Sequence, residues 1–503
     1  MLSTFFGLEL ARRALEAQQT ALDIAGHNIA NANTQGYTRQ IANLAATAPN
    51  RIGGLGHQVS IGSGVTLDQI TRARDSYVDR QFRWETSKQQ YWGSRQDSLQ
   101  KVEAMFNEPS DNSLHDDMDQ FWNAWSDLAK DPENMGARSV VQERAMTLAD
   151  SFHHMNQQIT DLQKDLDAQV RVQVHQINVY ADQIKALNDQ IKRAEVAGDN
   201  PNDLRDQRDN LVDQLSQLVA VRITETRDPA FADRTVNNYT LAIGNDATYQ
   251  PLVEDSTVYH LNEPTADASG TFASVTWQDS GAPLDMGDNL GSLQANIKVR
   301  DEYLPNLLQQ FNDLAQGLAA AVNALHEKGQ GLQANPPLDF FVAADGGAVI
   351  TAANISFNQV LGNNLKLIAT GLATADGSVN SGDNTIAHAI SSLAGGWAAL
   401  SDPAIFGAAP VPAPVPAVSF GDYYGARVAQ MGVDVQEANR MKAGQDVLVT
   451  HIDNQRQSYS GVSLDEEMAN LVKYQKSYAA AARMVTMLDD MLNTIVNGMG
   501  ITR

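Results

Sequence analysis

Cysteine is absent from all 503 residues. That absence excludes disulfides and thiol nucleophiles. It also lets a chain pass from a reducing to an oxidising compartment with no thiol chemistry. No uninterrupted apolar run is long enough to span a bilayer, so no membrane insertion is expected. The most apolar-looking stretch, Ala404 to Phe420, carries Pro410, Pro412, Pro414 and Pro416 and reads as an extended connector. Positive charge is scarce: 36 Lys and Arg stand against 60 Asp and Glu, a net charge of -24. Phosphate contacts need clustered cations, so no nucleic acid is expected as a partner. The N-terminus has no basic segment leading into an apolar core, so no cleavable signal peptide is expected.

Catalytic and cofactor signatures are missing as well. There is no G-x-S-x-G elbow and no HExxH. Gly54, Gly56, Gly62 and Gly64 are not followed by the Gly-Lys-Ser/Thr of a phosphate loop. His153 and His154 are adjacent on a predicted helix and point about 100° apart, a poor shared metal site. His115, Asp116 and Asp117 sit near a helix start, where acids favour the dipole. Asp376-Gly377-Ser378 to Asp383-Asn384 lacks the spacing and the bidentate Glu of a calcium loop, and reads as a polar turn. Trp84, Tyr91, Trp92, Trp122 and Trp125, at helical spacing, read as core or interface. No catalytic residue, cofactor or metal ligand is expected, and the chain is read as not an enzyme.

What the sequence does carry lies first at its two ends. Met1, Leu8, Leu15, Leu22 and Ile29 fall on one helical line, with Ala11, Ala25 and Ala32 beside it. Leu464, Met468, Leu471, Gln475 and Tyr478 begin a second line, which Val485, Leu488, Leu492, Ile495 and Met499 finish. Spacings of three and four mark helices that pack on helices. Ordering a helix costs roughly 1–2 kcal/mol per residue, and burying one large apolar side chain returns only about 1.5–3 kcal/mol. Five or six such residues cannot order either end alone. The ends are therefore expected to pair with each other and with copies in neighbouring subunits.

Between the ends the pattern is nested. A first helix is predicted from Ser3 to Asn33, stopping near Gly36 as a left-handed cap. Short strands around Val59, Ile61 and Val65 precede a long helix from Ala73 to Phe106. Leu114, Met118, Phe121, Trp125 and Leu128 line the next helix. The longest helix is predicted to start at Asp131-Pro132 and run toward Gly198. Its seam of Leu148, Phe152, Met155, Ile159, Leu162 and Leu166 steps register at Val170 and resumes through Ile177, Ile184 and Ile191. Asn200-Pro201-Asn202 turns into a helix bearing Leu204, Leu211, Leu215 and Leu218, which closes an antiparallel hairpin. Short β-like runs over 221–288 follow, expected to point outward, and helix resumes from Leu290 past Pro305 to Lys328. The final helices begin near Tyr424, and Ser463 with Glu466 forms a capping box for the last. The fold class is mainly α and multidomain, with an inserted small β domain, coiled-coil-like terminal helices and a long α-hairpin rod domain. The expected division is 1–65 with 460–503 as the axial core, 66–220 with 289–459 as the rod domain with some β, and 221–288 as the outer β domain.

Motifs make this specific. Gly26-His27-Asn28-Ile29-Ala30-Asn31-Ala32-Asn33-Thr34-Gln35-Gly36-Tyr37-Thr38-Arg39 resembles the N-terminal signature of the bacterial flagellar rod, hook and hook-associated axial proteins. Val462 to Leu471, continuing through Tyr474, Gln475 and Tyr478, resembles their C-terminal signature. Phe106-Asn107-Glu108-Pro109-Ser110-Asp111, Asp203 to Asp209, Arg300 to Pro305 and Asn323-Ala324-Leu325-His326 resemble, together, the hook-associated protein 1 branch. The resemblance covers about 1–220, 290–330 and the last eighty or so residues.

The resemblance implies a structural role at the hook–filament junction and export through the flagellar type III apparatus to an extracellular position. Partners implied are identical subunits, hook protein and the second junction protein; the apolar stripe of Leu464–Met499, which needs a shield before export, adds the expectation of a cytosolic export chaperone. Leu8, Leu15, Leu22 and Ile29 would form the N-terminal assembly helix, and Asn28, Asn31, Asn33, Gly36 and Tyr37 the family motif. Leu464, Met468, Leu471, Tyr478, Val485, Leu488, Leu492 and Ile495 would form the C-terminal assembly and chaperone-binding helix. Two alternatives remain at this point: another rod or hook subunit, and a surface-binding protein on a coiled-coil stalk with the β domain as reader.

Overall fold

The computed structural model describes residues 5–494, except 55–56, 107–109, 111–112, 232–235, 245–247, 265–271, 289, 335 and 375–377, with the backbone alone described at 50–54 and 57–59. Met1, Ile495 and Met499 of the terminal lines, and Asp376 and Gly377 of the polar turn, lie outside the described residues.

Helix α1 (Phe6–Ala30) leads into strands β1 (Gln40–Ala46), β2 (Asn50–Gly54), β3 (His57–Ile61) and β4 (Val65–Arg72). β1 pairs antiparallel with β4, from Gln40 opposite Arg72 to Ala46 opposite Val65, and β2 pairs with β3 as a hairpin between them. α1 stops short of the predicted Asn33. Asn31 Nδ2 donates to the His27 carbonyl at 3.0 Å, and Thr34 Oγ1 donates to Asn31 Oδ1 at 3.1 Å, so the chain turns there. Gly36 does take a left-handed φ of 78°, but in the turn beyond the helix rather than at its cap.

Helices α2 (Ser76–Phe106), α3 (Leu114–Lys130), α4 (Met135–Ala197) and α5 (Asn202–Leu218) follow. α4 spans roughly 95 Å at 1.5 Å per residue. Its start corrects the sequence reading: Asn134 is the cap, its Oδ1 accepting from Gly136 N at 2.8 Å and Ala137 N at 3.2 Å. The Pro132 carbonyl, which a start at Asp131 would place inside the helix, instead accepts from Arg138 Nη2 at 2.7 Å. Gly198, φ 90°, ends α4 in the left-handed conformation. α5 covers only the last part of α4, so the remaining length of the rod packs on other helices and on β segments instead of a hairpin partner.

The step at Val170 marks a change of partner. Val141 to Leu166 of α4 belongs to one core, with α3, and Val170 to Ile184 to another, with α5 and the β segment. Asp167 lies between the two runs, 1% exposed, and pairs with the fully buried Arg300 at 2.6 Å. In the first core, Phe121 and Trp125 meet Phe340 at ring-centroid distances of 6.0 and 5.2 Å.

Strands β5 (Val221–Arg227), β6 (Asn237–Ile243), β7 (Gln250–Glu254) and β8 (Thr257–Val258) form an antiparallel sheet in sequence order, and β9 (Leu261–Asn262) pairs with β10 (Thr276–Trp277). Tyr239, Leu241, Ile243, Leu252 and Val253 are buried in the core that holds Val170, Val174 and Ile177 of α4. The β segment is thus seated on the far half of the long helix.

α6 (Gly291–Lys298) and α7 (Leu304–His326) are joined by a π turn, Val299–Tyr303. Pro305 lacks an N–H and its ring crowds the preceding turn. The widened turn absorbs both effects, which keeps the helical course continuous. Beyond α7, β11 (Gly329–Gln330) pairs with β14 (Gly371–Leu372) and β12 (Phe341–Ala343) with β13 (Ile355–Phe357). The short helices α8 (Gln359–Asn363), α9 (Thr385–Ser392) and α10 (Pro403–Phe406) complete this region. The proline connector is not free of the fold. A Cβ on Gly317 of α7 would stand 3.1 Å from Val415 Cγ1 and 3.2 Å from the Pro414 carbonyl, so the connector lies as a strap on that helix. Trp397 Nε1 donates to the Ala417 carbonyl at 2.8 Å and ties down its far end.

α11 (Phe420–Ser460) starts at the Ser419 cap, before the expected Tyr424, and α12 (Leu464–Asn493) at the Ser463 cap. α11 runs along α2, where Val435 and Ala438 meet Tyr91, Trp92 and Leu99. No described helix is long and apolar enough to cross a membrane.

Candidate functional site: the joined chain ends

α12 packs along α1. The contact uses a different face of α1 from the leucine line. Ala11, Ala17, Ala21, Ala25 and Asn28 are the buried residues, whereas Leu8, Leu15, Leu22 and Ile29 are half-buried. Alanine lets neighbouring backbones approach closely, and Gly7 extends that seam: a Cβ there would lie 3.2 Å from Leu488 Cδ1. A seam of small residues buries little area, so it returns little hydrophobic free energy. On α12, Leu471, Val485, Leu488 and Leu492 are half-buried, while Leu464, Met468 and Tyr478 are exposed. Ile495 is outside the described residues. The predicted C-terminal line therefore divides into a part spent on α1 and a part left open.

The N-terminal motif forms the clasp. Asn28 is 1% exposed and its amide is fully used. Oδ1 accepts from Tyr37 OH at 2.7 Å and Gln40 N at 2.9 Å; Nδ2 donates to the Gln40 carbonyl at 2.9 Å and Glu467 Oε2 at 3.2 Å. Arg39 Nε donates to Glu467 Oε1 at 2.7 Å, Arg39 Nη1 to Glu466 Oε2 at 2.9 Å, and Arg39 N to the Ser460 carbonyl at 2.9 Å. Only half of the expected capping box forms. Ser463 Oγ accepts from Glu466 N at 3.4 Å, but the Glu466 carboxylate turns to Arg39. Tyr37 OH also meets His27 Nδ1 at 3.0 Å. Burial, together with Asp203, Asp206 and Glu467, pushes the Tyr37 phenol well above its ordinary value, so it stays a donor. Asn31 shapes the turn, Asn33 is exposed on it, and a Cβ at Gly36 would stand 3.1 Å from Asn210.

Behind the clasp lies a charged hub that the leucine pattern of α5 concealed. Leu215 is buried, but Leu204, Leu211 and Leu218 are only half-buried; Asp206, Arg208 and Asp209 are buried instead. Arg72 Nη1 reaches Asp206 at 2.8 Å and Asp209 at 2.7 Å. Arg74 meets Asp209 at 2.5 Å and Asp79 at 2.7 Å. Arg83 meets Asp213 at 2.6 Å, and Arg456 meets Asp213 at 2.8 Å. Four carboxylates thus face four guanidiniums from β4, the β4–α2 link, α2, α5 and α11. Thr38 N donates to Asp206 Oδ2 at 2.8 Å and joins clasp to hub. Burial would push Asp209 up, yet Arg74, Arg83 and Arg72 together hold it well below the usual carboxylate range. Asp206 goes the other way, because burial outweighs Arg72 and Thr38. Of the other charged members of the 203–209 motif, Asp203 accepts from Gln40 Nε2 at 2.7 Å, whereas Arg205 reaches Glu195 at 2.6 Å, and Arg208 reaches Glu225 at 2.6 Å and lies over the Tyr239 ring at 3.7 Å. The available signal was the spacing of Asp206, Asp209 and Asp213, a carboxylate line at helical period.

Candidate chemical residues are used structurally. His115 stacks on Tyr424 at 6.3 Å, Ser151 Oγ donates to Asp117 at 2.5 Å, and His154 meets Gln158 at 3.0 Å. Among the described residues no group of three potential metal ligands assembles. Trp125 is fully buried and Trp122 stacks on Phe420 at 6.0 Å.

Comparison with known proteins agrees with this layout. Residues 99–341 match the helical domain of flagellar hook-associated protein FlgK, residues 8–38 the flagella basal body rod protein family, and residues 454–498 the C-terminal family of the basal body rod FlgEFG proteins. The chain is 32% identical to flagellar hook-associated protein 1 of Bacillus subtilis (strain 168), over 100% of this chain and 99% of that protein. It is 27% identical to flagellar hook-associated protein 1 of Escherichia coli (strain K12), over 97% and 98%. The structure of the flagellar hook junction protein FlgK from Burkholderia pseudomallei aligns with a TM-score of 0.60 at 16% identity, covering 76% of this chain and 100% of that one, a likeness of fold.

Proposed function

The chain belongs to the flagellar hook-associated protein 1 family, and on that premise we propose that it is a structural, non-enzymatic component of the bacterial flagellum that builds the junction between hook and filament. One observation carries the reading: Asn28 and Arg39 lock the start of α12 to the end of α1, while Met468, Val472 and Tyr478 of α12 stay exposed and the leucine line of α1 is only half-buried. A subunit so built has its terminal pair ready for other helices. Residues 1–65 with 460–503 act as the assembly unit, 66–220 with 289–459 as the rod, and 221–288 as an accessory β segment. Partners are identical subunits, hook protein below and the second junction protein above.

The chain reaches that position, outside the cell, through the flagellar type III apparatus. The absence of cysteine suits such a passage. Before export, a cytosolic chaperone shields the open side of α12. Met468 and Val472, 53% and 49% exposed, are better probes of that contact than Leu488, which seats on Gly7. Met468→Asp with Val472→Asp abolishes chaperone capture of the full chain; unchanged capture would remove the chaperone from this face.

Deleting the gene and imaging cells by electron microscopy tests the main reading. Bare hooks with flagellin shed into the medium are expected. Normal filaments would overturn it, and missing hooks would assign the chain to the rod or hook.

A further inference from the structure

With no cysteine in the chain, its sulfur chemistry rests on 14 methionines. Several are sealed in the core: Met118, Met155 and Met431 are 1, 6 and 4% exposed. α12 is different. Met484, Met487 and Met491 are 44, 57 and 53% exposed. Their spacing of three and four puts them on one face, beside the line Ala481, Val485, Leu488 and Leu492 that turns toward α1. Thioethers are flexible and polarisable, and suit a surface that must fit partners of irregular shape. They are also oxidisable, and a sulfoxide replaces a conformable apolar group with a polar one.

We propose that Met484, Met487 and Met491 form an oxidation site that decides whether the subunit can assemble; this rests on the reading of α12 as an assembly helix. The oxidant is a peroxide. The thioether sulfur attacks one peroxide oxygen, the O–O bond breaks, and an S–O bond forms. Sulfur loses two electrons, the peroxide gains them, and with hydrogen peroxide the second oxygen leaves as water after proton transfer. Each sulfoxide buried without a donor at the new interface weakens association roughly tenfold. The site is open only before assembly, because the same residues are covered once neighbours dock.

The test uses purified full-length chain, graded hydrogen peroxide, and isolated hooks from cells lacking the chain. Oxidation at each methionine is read by mass spectrometry and hook binding by co-sedimentation. Met135 and Met146 on α4, 41 and 44% exposed, serve as internal controls. Binding is expected to fall by a hundredfold or more, roughly, as the three α12 sulfoxides accumulate. Methionine sulfoxide reductase restores it. The variant Met484→Leu, Met487→Leu, Met491→Leu conserves volume and keeps binding after the same dose. Unchanged binding by fully oxidised chain, or equal loss in the leucine variant, overturns the proposal. Untreated chain that fails to bind hooks overturns the assembly reading and this site with it.

Discussion

Asn28 and Glu467 are 439 positions apart in the chain, and the Asn28 amide donates to the Glu467 carboxylate at 3.2 Å in a buried setting. Arg39 holds the other oxygen of that carboxylate at 2.7 Å. The N-terminal motif is thus less a surface recognised by others than a lock on the opposite end of its own chain.

Asn28→Ala removes both the acceptor of Tyr37 OH and Gln40 N and the donor to Glu467. Leaving such groups unpaired costs about 1–3 kcal/mol. Amide hydrogen exchange in the last turn of α1 and the first turn of α12 should accelerate accordingly, with the α3–α4 core unchanged. Asn28→Asp should be worse at neutral pH, since it places a second carboxylate against Glu467.

Asp209→Asn leaves Arg72, Arg74 and Arg83 short of a shared carboxylate. Breaking a buried pair on one side costs about 3–5 kcal/mol, measurable by urea unfolding. The acid dependence has a definite sign. Asp209 is depressed in the folded chain, so its contribution is present above the ordinary carboxylate range and is lost as pH falls through its folded value. Asp206 is raised, so its effect is opposite: stability it adds below that range is lost as pH rises through its folded value.

His326 supplies a second pH dependence at milder acidity. It is fully buried; Nδ1–H donates to the Leu338 carbonyl at 2.6 Å and Nε2 accepts from Ala369 N at 3.0 Å. Burial pushes the imidazole down from 6.5 to about 4. Stability is therefore complete above pH 6.5 and is lost as pH falls through about 4, by about 3 kcal/mol at the limit. Unfolding free energies at pH 7.5 and 4.5 should show the slope, and His326→Gln should flatten it.

Gly317→Leu should lift the proline strap, because the space beside Gly317 is filled by Val415 and Pro414. Gly317→Ala demands only a few tenths of an ångström at contacts of 3.1–3.3 Å. Limited proteolysis between 407 and 418 should rise sharply for the leucine variant and little for the alanine one.

These positions also show what the sequence could disclose. The lines through Leu114–Leu128 and Leu148–Ile191 were legible because their apolar residues are buried at helical period, as is the partner change at Val170. α5 was misjudged because its leucines drew attention while its carboxylates took the buried face; hydrophobic period cannot report a core built of ion pairs. On α1 an alanine line and a leucine line both fit a helix, and only the geometry of α12 selects between them. The strap was legible as extended but not as packed, since Pro410 to Pro416 give local conformation and Gly317, far away in sequence, gives the seat. Of the site, the motif residues Asn28, Gly36 and Tyr37 came from resemblance alone; the hydrogen bonds of Asn28 and Tyr37 and the left-handed φ of Gly36 supply the physical reason.

A pull on the terminal helices has few covalent routes into the rest of the molecule, through the 31–39 turn and the short 461–463 link. The ring of Arg72, Arg74, Arg83 and Arg456 around Asp79, Asp206, Asp209 and Asp213 ties β4, α2, α5 and α11 together where those routes arrive, and Thr38 of the turn joins it through Asp206. Asp209 is shared by Arg72, Arg74 and Arg83, and Asp213 by Arg83 and Arg456. At a shared carboxylate, a small shear between these elements that lengthens one ion pair leaves another in place. The load that the two links deliver is spread in this way over four elements of the shaft.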